Sequence, residues 1–264
     1  MKVAILAGDL SSRPAEGTEV KPKSMVEIGG KPIIWHIMTH YAHYGFNDFA
    51  IALGYKGEVI KKYMLDYYSL NRDLSVSLKT GKVKMIGGAV PDWTVDLIDT
   101  GMKTQTGGRI KRLAPYMGNE TFMLAWGDVA SDINLHDLLA FHRSHGKLAT
   151  LSAVQPTTEL SEQPQNKEGW INGALFVLEP EIFDLIDGDS THFEKEPLER
   201  LAAAGQLMAY RHPGFWQCMD TLRERKILET YWESGQAPWQ TWEGHRPRGV
   251  HRDGFATNVV TGRA

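Results

Sequence analysis

Val3-Ala4-Ile5-Leu6-Ala7-Gly8-Asp9, near the start of the chain, is the stretch that decides the fold. An unbroken apolar run stops at a glycine and a carboxylate. A strand with one wet face would alternate apolar and polar residues; a short continuous run suits a strand covered on both faces, as in a parallel sheet. Outward from it comes a polar loop, Asp9 to Lys23, carrying Pro14 and Pro22. Met25 to Ile28 reads as a short edge strand and Gly29-Gly30 as a turn. Pro32 to Tyr44 reads as a helix with Pro32 at its first position, ended by Gly45. Phe49 to Leu53 is a second buried strand, and Glu58 to Tyr68 a second helix. This alternation predicts βαβ units with right-handed crossovers.

The rest continues the theme. Ser75 to Leu78, Lys82 to Ile86, Val95 to Asp99, Thr121 to Ala125, Ala149 to Val154 and Trp170 to Leu178 read as strands. Leu135 to His145, Pro180 to Ile186, Glu196 to Ala204 and Leu222 to Trp232 read as helices, and Thr104 to Arg112 as a glycine-containing loop running into one. After Trp242 the character changes: Arg246, Arg248, Arg252 and Arg263 stand among few apolar residues with no periodicity, which predicts a mobile or partner-docked tail. The expected division is one domain over 1–242 and a tail over 243–264.

The 264 residues suffice for a substantial core. A formal net charge of -3 argues against general attraction to nucleic acid or anionic membrane. Cys218 is the one cysteine, so neither an intrachain disulfide nor a cysteine zinc cluster can form. The N-terminal apolar run is too short for a signal peptide and no later run reaches a membrane span, so a cytoplasmic protein is expected.

Three places could carry chemistry. The loop after the first strand offers Gly8, Ser11, Ser12 and Arg13, with Lys21 and Lys23 close behind. Ligands of open α/β sheets bind beyond the carboxyl ends of strands, where backbone N–H groups and a guanidinium can meet phosphates. An ordinary polar loop is the competing reading. Asp128 ends an apolar strand, with Asp132 four residues on; a hard cation takes one or two carboxylates plus substrate phosphates, while Asp128 or Ser131 could instead cap the following helix. Asp220 could be a second ligand or the N-cap of the last helix, and spacing alone favours the cap. His36 and His40 lie four apart on a predicted helix without a zinc-protease glutamate, and read as core or surface residues.

Longer stretches carry a resemblance. Met1 to Gly8 with Arg13, Lys21-Pro22-Lys23-Ser24-Met25-Val26-Glu27-Ile28-Gly29-Gly30-Lys31-Pro32, Leu53-Gly54-Tyr55-Lys56-Gly57, Thr106-Gly107-Gly108-Arg109, Trp170-Ile171-Asn172-Gly173 and Met219-Asp220-Thr221-Leu222-Arg223 occur in order. From Met1 to about Trp242 the chain resembles the sugar-1-phosphate nucleotidyltransferases, and among them the cytidylyltransferases that act on glucose-1-phosphate. The resemblance implies a Rossmann-like α/β fold with a mixed, mainly parallel sheet. It implies a Mg²⁺-dependent, in-line attack of a sugar-1-phosphate on the α-phosphorus of CTP, giving a CDP-sugar for a bacterial surface polysaccharide such as lipopolysaccharide. It implies catalytic roles for Arg13 and Lys23, and nucleotide binding by Leu6, Gly8, Ser11, Ser12, Thr106, Gly107 and Arg109. Glu162, Gln163, Asn172 and Gly173 would face the sugar phosphate, Asp128 and Asp220 would hold Mg²⁺, and the protein would be a homo-oligomer.

The chain departs from the family pattern at the same places. Gly8-Asp9-Leu10-Ser11-Ser12-Arg13 stands where the family reads Gly-Gly-Leu-Gly-Thr-Arg, so a carboxylate enters a phosphate loop. Val129 replaces the glycine after Asp128, Gln163 replaces a lysine, and the stretch between Gln155 and Glu162 is shorter. These changes leave two alternatives to a glucose-1-phosphate enzyme: an impaired homologue that binds nucleotide or a partner protein, or a transferase for another phosphorylated acceptor.

Overall fold

The computed structural model describes residues 1–8, 21–155 and 169–243. Ser11, Ser12, Arg13, Glu162, Gln163 and the tail beyond 243 lie outside the described residues. In chain order the strands are β1 (Val3–Ala7), β2 (Glu27–Ile28), β3 (Lys31–Pro32), β4 (Asp48–Leu53), β5 (Asp73–Ser77), β6 (Lys82–Gly87), β7 (Thr94–Asp99), β8 (Phe122–Trp126), β9 (Val129–Ser131), β10 (Ala149–Val154), β11 (Ile171–Leu178), β12 (Leu207–His212) and β13 (Trp216–Cys218). The α-helices are α1 (Ile33–His43), α2 (Gly57–Leu70), α3 (Thr106–Met117), α4 (Leu135–His145), α5 (Glu196–Ala203) and α6 (Leu222–Glu233).

Seven strands form one sheet in the order β12-β10-β11-β8-β1-β4-β7. β1 runs parallel to both β4 and β8, β7 is parallel to β4 and β12 to β10. Only β11 is reversed, antiparallel to β8 and β10. The sheet is thus mixed and mainly parallel, as expected. β1 is buried along its whole length, because helices cover both faces. On one face Val3 and Ile5 pack with α1, α4 and α6; on the other Ala4 and Leu6 pack with α3, α5 and the 3-10 turn Pro180–Leu185. One continuous apolar pentapeptide therefore feeds two cores.

Most expected elements stand within two residues of their sequence bounds. Met25 differs: Lys23–Met25 is a 3-10 turn, and the strand begins only at Glu27. β3, β9, β12 and β13 are not among the expected elements, and Pro32, expected at the first position of the helix, pairs in β3 and is the N-cap of α1. No described helix is long and apolar enough to cross a membrane.

Candidate active site

The carboxyl ends of β1, β4 and β7 are tied together by one buried side chain. The Arg109 guanidinium, carried by the first turn of α3, donates to the carbonyls of Gly8 at 2.8 Å, Leu53 at 3.1 Å and Gly101 at 2.9 Å, and to the Thr100 hydroxyl at 2.8 Å. A Cβ on Gly8 would lie 2.3 Å from Arg109 Nη1 and one on Gly54 2.5 Å, so both glycines make room for the guanidinium. Arg109 thus ties Gly8 to the ends of β4 and β7 through three backbone carbonyls and the Thr100 hydroxyl. Leu6 is buried in β1, and its carbonyl accepts Gly127 N–H at 2.9 Å, joining the end of β1 to the turn that bears Asp128. Thr106 and Gly107 lie in the first turn of α3. The Thr106 hydroxyl donates to Glu194 at 2.7 Å, and Gly107 N–H to the Thr191 carbonyl at 2.9 Å. A Cβ on Gly107 would meet that carbonyl at 2.7 Å, so the glycine allows close packing.

β9 and β13 form a two-stranded antiparallel ribbon with Cys218 opposite Val129. Met219 N–H continues the ladder onto the Asp128 carbonyl at 2.9 Å. Asp128 and Asp220 therefore leave the same end of the ribbon, although 92 positions separate them (220 − 128). Lys23, at the start of the 3-10 turn Lys23–Met25, closes the cluster: its Nζ is 2.5 Å from Asp220 Oδ1 and 3.6 Å from Asp128 Oδ2.

Both capping alternatives are settled by the helix ends. The N-cap of α4 is Asn134, whose side chain accepts from His136 N–H and Asp137 N–H, so neither Asp128 nor Ser131 caps it. Ser131 instead donates to the Phe215 carbonyl at 3.0 Å. The N-cap of α6 is Thr221, in a reciprocal box with Glu224, so Asp220 is not the cap. Asp132 pairs with His212 at 2.8 Å.

The donor set fits a hard cation. Two carboxylates already converge on one positive centre, the Lys23 ammonium, and oxygen-only donors suit Mg²⁺. Cys218, Asp220 and Glu224 also lie within 4.8 Å of one another. That trio is the poorer candidate: burial and the neighbouring Glu224 and Asp220 carboxylates push the Cys218 thiol up to about 12, and Glu224 is engaged by the backbone N–H groups of Asp220 and Thr221.

β11 carries a bulge opposite β10. Pairing with β10 shifts between Leu151 and Ala153, and Ala174 takes φ 59°. Asn172 Oδ1 accepts Ala174 N–H at 2.8 Å, and the Gly173 carbonyl accepts Trp216 Nε1–H at 2.8 Å. A Cβ on Gly173 would sit 2.6 Å from Ser152 Oγ, which requires glycine there. The bulge locks β11 to the ribbon, a long-range arrangement with no sequence signal beyond Trp216-Gln217 beside Asp220.

No protein-family model matches the chain. Curated relatives do. A glucose-1-phosphate cytidylyltransferase of Salmonella typhimurium is 46% identical over 257 residues, covering 92% of this chain and 100% of the relative. A probable glucose-1-phosphate cytidylyltransferase of Bacillus subtilis is 40% identical over 255 residues, again covering 92% and 100%. Among solved structures, HddC from Yersinia pseudotuberculosis complexed with GMP-PN superposes with a TM-score of 0.66 at 19% identity, covering 88% of this chain and 99% of that one. That likeness supports the fold alone.

Proposed function

The chain belongs to the glucose-1-phosphate cytidylyltransferase family, and from that premise we propose that it makes a CDP-sugar from CTP and a glucose-1-phosphate-like sugar phosphate. The carrying observation is the convergence of Lys23, Asp128 and Asp220 at the carboxyl edge of the sheet. A phosphate oxygen of the sugar-1-phosphate attacks the α-phosphorus of CTP. The new P–O bond forms as the bond to the bridging oxygen breaks, and pyrophosphate leaves with that electron pair. Transfer of this kind depends on positioning and charge neutralisation. Lys23 stabilises charge on the α-phosphate. Asp128 and Asp220 hold Mg²⁺, which when bound neutralises phosphate charge. Arg109 fixes the Gly8 carbonyl, and Ser11, Ser12 and Arg13 are assigned to the leaving phosphates on the family resemblance alone. Asn172 and Gly173 face the acceptor in this reading, and Glu162 and Gln163, earlier in the chain, are assigned to it on the family resemblance.

Asp9 and Gln163 favour a second reading, a redirected or lost acceptor site on an intact nucleotide site. Pyrophosphate release from CTP, Mg²⁺ and glucose-1-phosphate separates the two. Release by the wild type that disappears in Asp128→Asn supports the transferase. Release gained only in Gln163→Lys supports the redirected site. Silence from all three sinks the cytidylyltransferase reading.

The protein acts as a homo-oligomer in this proposal. Val76 pairs with Val83 and Leu74 with Met85 across the β5–β6 hairpin, which places the four on one face. Alternation of this kind marks a strand face meant for burial, yet Leu74, Val76 and Val83 are exposed. A second copy of the chain is the cover proposed.

A further inference from the structure

The end of the β9–β13 ribbon opposite Asp128 and Asp220 is held by a buried histidine–aspartate hydrogen bond that plays no part in the chemistry above. His212, the last residue of β12, places Nε2 2.8 Å from Asp132 Oδ1 and 3.3 Å from the Phe215 carbonyl. Both neighbours are acceptors, so Nε2 carries the proton. The Asp132 and His212 side chains are 6% and 10% exposed. Gly214 roofs them: a Cβ there would lie 2.5 Å from Asp132 Oδ1 and 2.6 Å from His212 Cε1. Asp132 N–H donates to the Phe215 carbonyl at 3.2 Å, and the Ser131 hydroxyl to the same oxygen at 3.0 Å. Three donors, from β12, from β9 and from the residue after β9, thus converge on the Phe215 carbonyl directly before β13.

We propose that Asp132 and His212 are positioning residues that set the register of the ribbon, and through it the separation of the Asp128 and Asp220 carboxylates. The proposal rests on the reading of those two aspartates as the metal pair. The ribbon has three paired positions, too few to resist slippage unaided. A slip of one residue turns every side chain to the other face and would part the two carboxylates. β12 is a strand of the main sheet, parallel to β10 along its whole length, so His212 is a rigid post. Asp132 follows β9 directly, and Phe215 precedes β13 directly. The pair therefore grips both strands of the ribbon at once and fastens them to the sheet.

The test uses the full chain and two readouts. Amide hydrogen exchange at Met219, whose N–H donates to the Asp128 carbonyl, reports the ladder itself. Mn²⁺ titration followed by electron paramagnetic resonance, without nucleotide, reports the carboxylate pair. Asp132→Asn is expected to speed Met219 exchange and to weaken Mn²⁺ binding about tenfold, the scale on which supporting residues act on metal sites. Gly214→Ala, which pushes on the pair without removing it, should act in the same direction and less. His142→Gln is the control. His142, on α4, bonds Thr150 near the start of β10 and Glu179 just past β11, at the other end of β10 from Val154, the partner of His212, so its loss should lower Tm while leaving both readouts unchanged. Unchanged Met219 exchange and Mn²⁺ affinity in Asp132→Asn overturn the proposal, as does an equal effect from His142→Gln. A wild type that binds no Mn²⁺ overturns the metal reading, and the exchange arm then still decides whether the clamp exists.

Discussion

Three small antiparallel ribbons stand among the described residues, and two of them, β9–β13 and β5–β6, have opposite surroundings. β9 and β13 pair residues about 87 positions apart (Gln217 with Ala130, 217 − 130), and β9 is wholly buried. β5 and β6 are joined by a local turn, pair over five positions, and β5 is exposed along its whole length. The buried ribbon exists because the rest of the fold brings its strands together, and Asp128 and Asp220 leave one end of it. The hairpin forms from local pairing alone, and an isolated two-stranded hairpin is marginal in water. One ribbon is placed by the core. The other stands outside it.

The sharpest way to break that contrast is at the buried ribbon's working end. Lys23 sits between the two carboxylates as a cation of its own. Lys23→Ala should lower kcat by about 10²-fold or more, as loss of a charge-stabilising donor does. It should also strengthen Mn²⁺ binding, because a competing positive charge is gone. Activity assays beside a metal titration check both. A variant whose metal affinity falls along with kcat would mean that Lys23 is holding the ribbon in shape.

The sequence shows the two ribbons unequally. The hairpin is legible because its strands read as short β-prone runs about a turn that contains Gly81. The buried ribbon is not: Val129-Ala130-Ser131 and Trp216-Gln217-Cys218 are too short to show a period, and each needs its distant partner to become a strand. Asp128 was legible from the apolar strand before it. Asp220 was confounded with its neighbour, since Asp and Thr are both good caps and only the structure shows Thr221 in that role. Arg109 was legible as important through family likeness, but its burial beneath Gly8 depends on three strand ends meeting, which no local pattern encodes.

Acid should undo the buried ribbon's backing. His36 and His40 lie on α1, and burial lowers each from the ordinary 6.5 to about 4. His40 faces Asp132 and the backbone of Ile133 just past β9, with His212 and His43 nearby; His36 faces Lys31 and the carbonyl of Ile28. The unfolded chain takes up a proton on each ring below about pH 6.5, and the folded chain resists until about pH 4. Stability is therefore full above pH 6.5 and falls on acidification through that window. Each ring contributes on the order of 3 kcal/mol to the loss. Urea midpoints between pH 7 and 4 check the slope, and a variant with His40→Gln should flatten it. A curve of equal slope in that variant would exclude His40 as its source.

The hairpin is tested by charge. Val76→Lys places an ammonium on the exposed apolar face opposite Val83. It should reduce the species seen by light scattering to a smaller assembly while moving Tm by only a few degrees, since exposed substitutions are usually worth about 0.5 kcal/mol or less. A wild type that is monomeric at micromolar concentration removes the argument for a second copy.

A small gain in stability is expected where the buried ribbon meets the sheet. Ala174 holds φ 59° in the β11 bulge, and Gly173 beside it accepts the Trp216 indole N–H. An alanine in the left-handed region costs about 1–2 kcal/mol against its preferred backbone. Glycine would relieve that strain but adds freedom to the unfolded chain, which offsets part of the gain. Ala174→Gly should therefore raise stability by about 0.5–1 kcal/mol with the bulge intact. If the variant is instead less stable, the Ala174 methyl contributes packing that outweighs the backbone strain. Ala174 does pack against the core face that contains Trp216, so the sign of this change measures which of the two controls the junction.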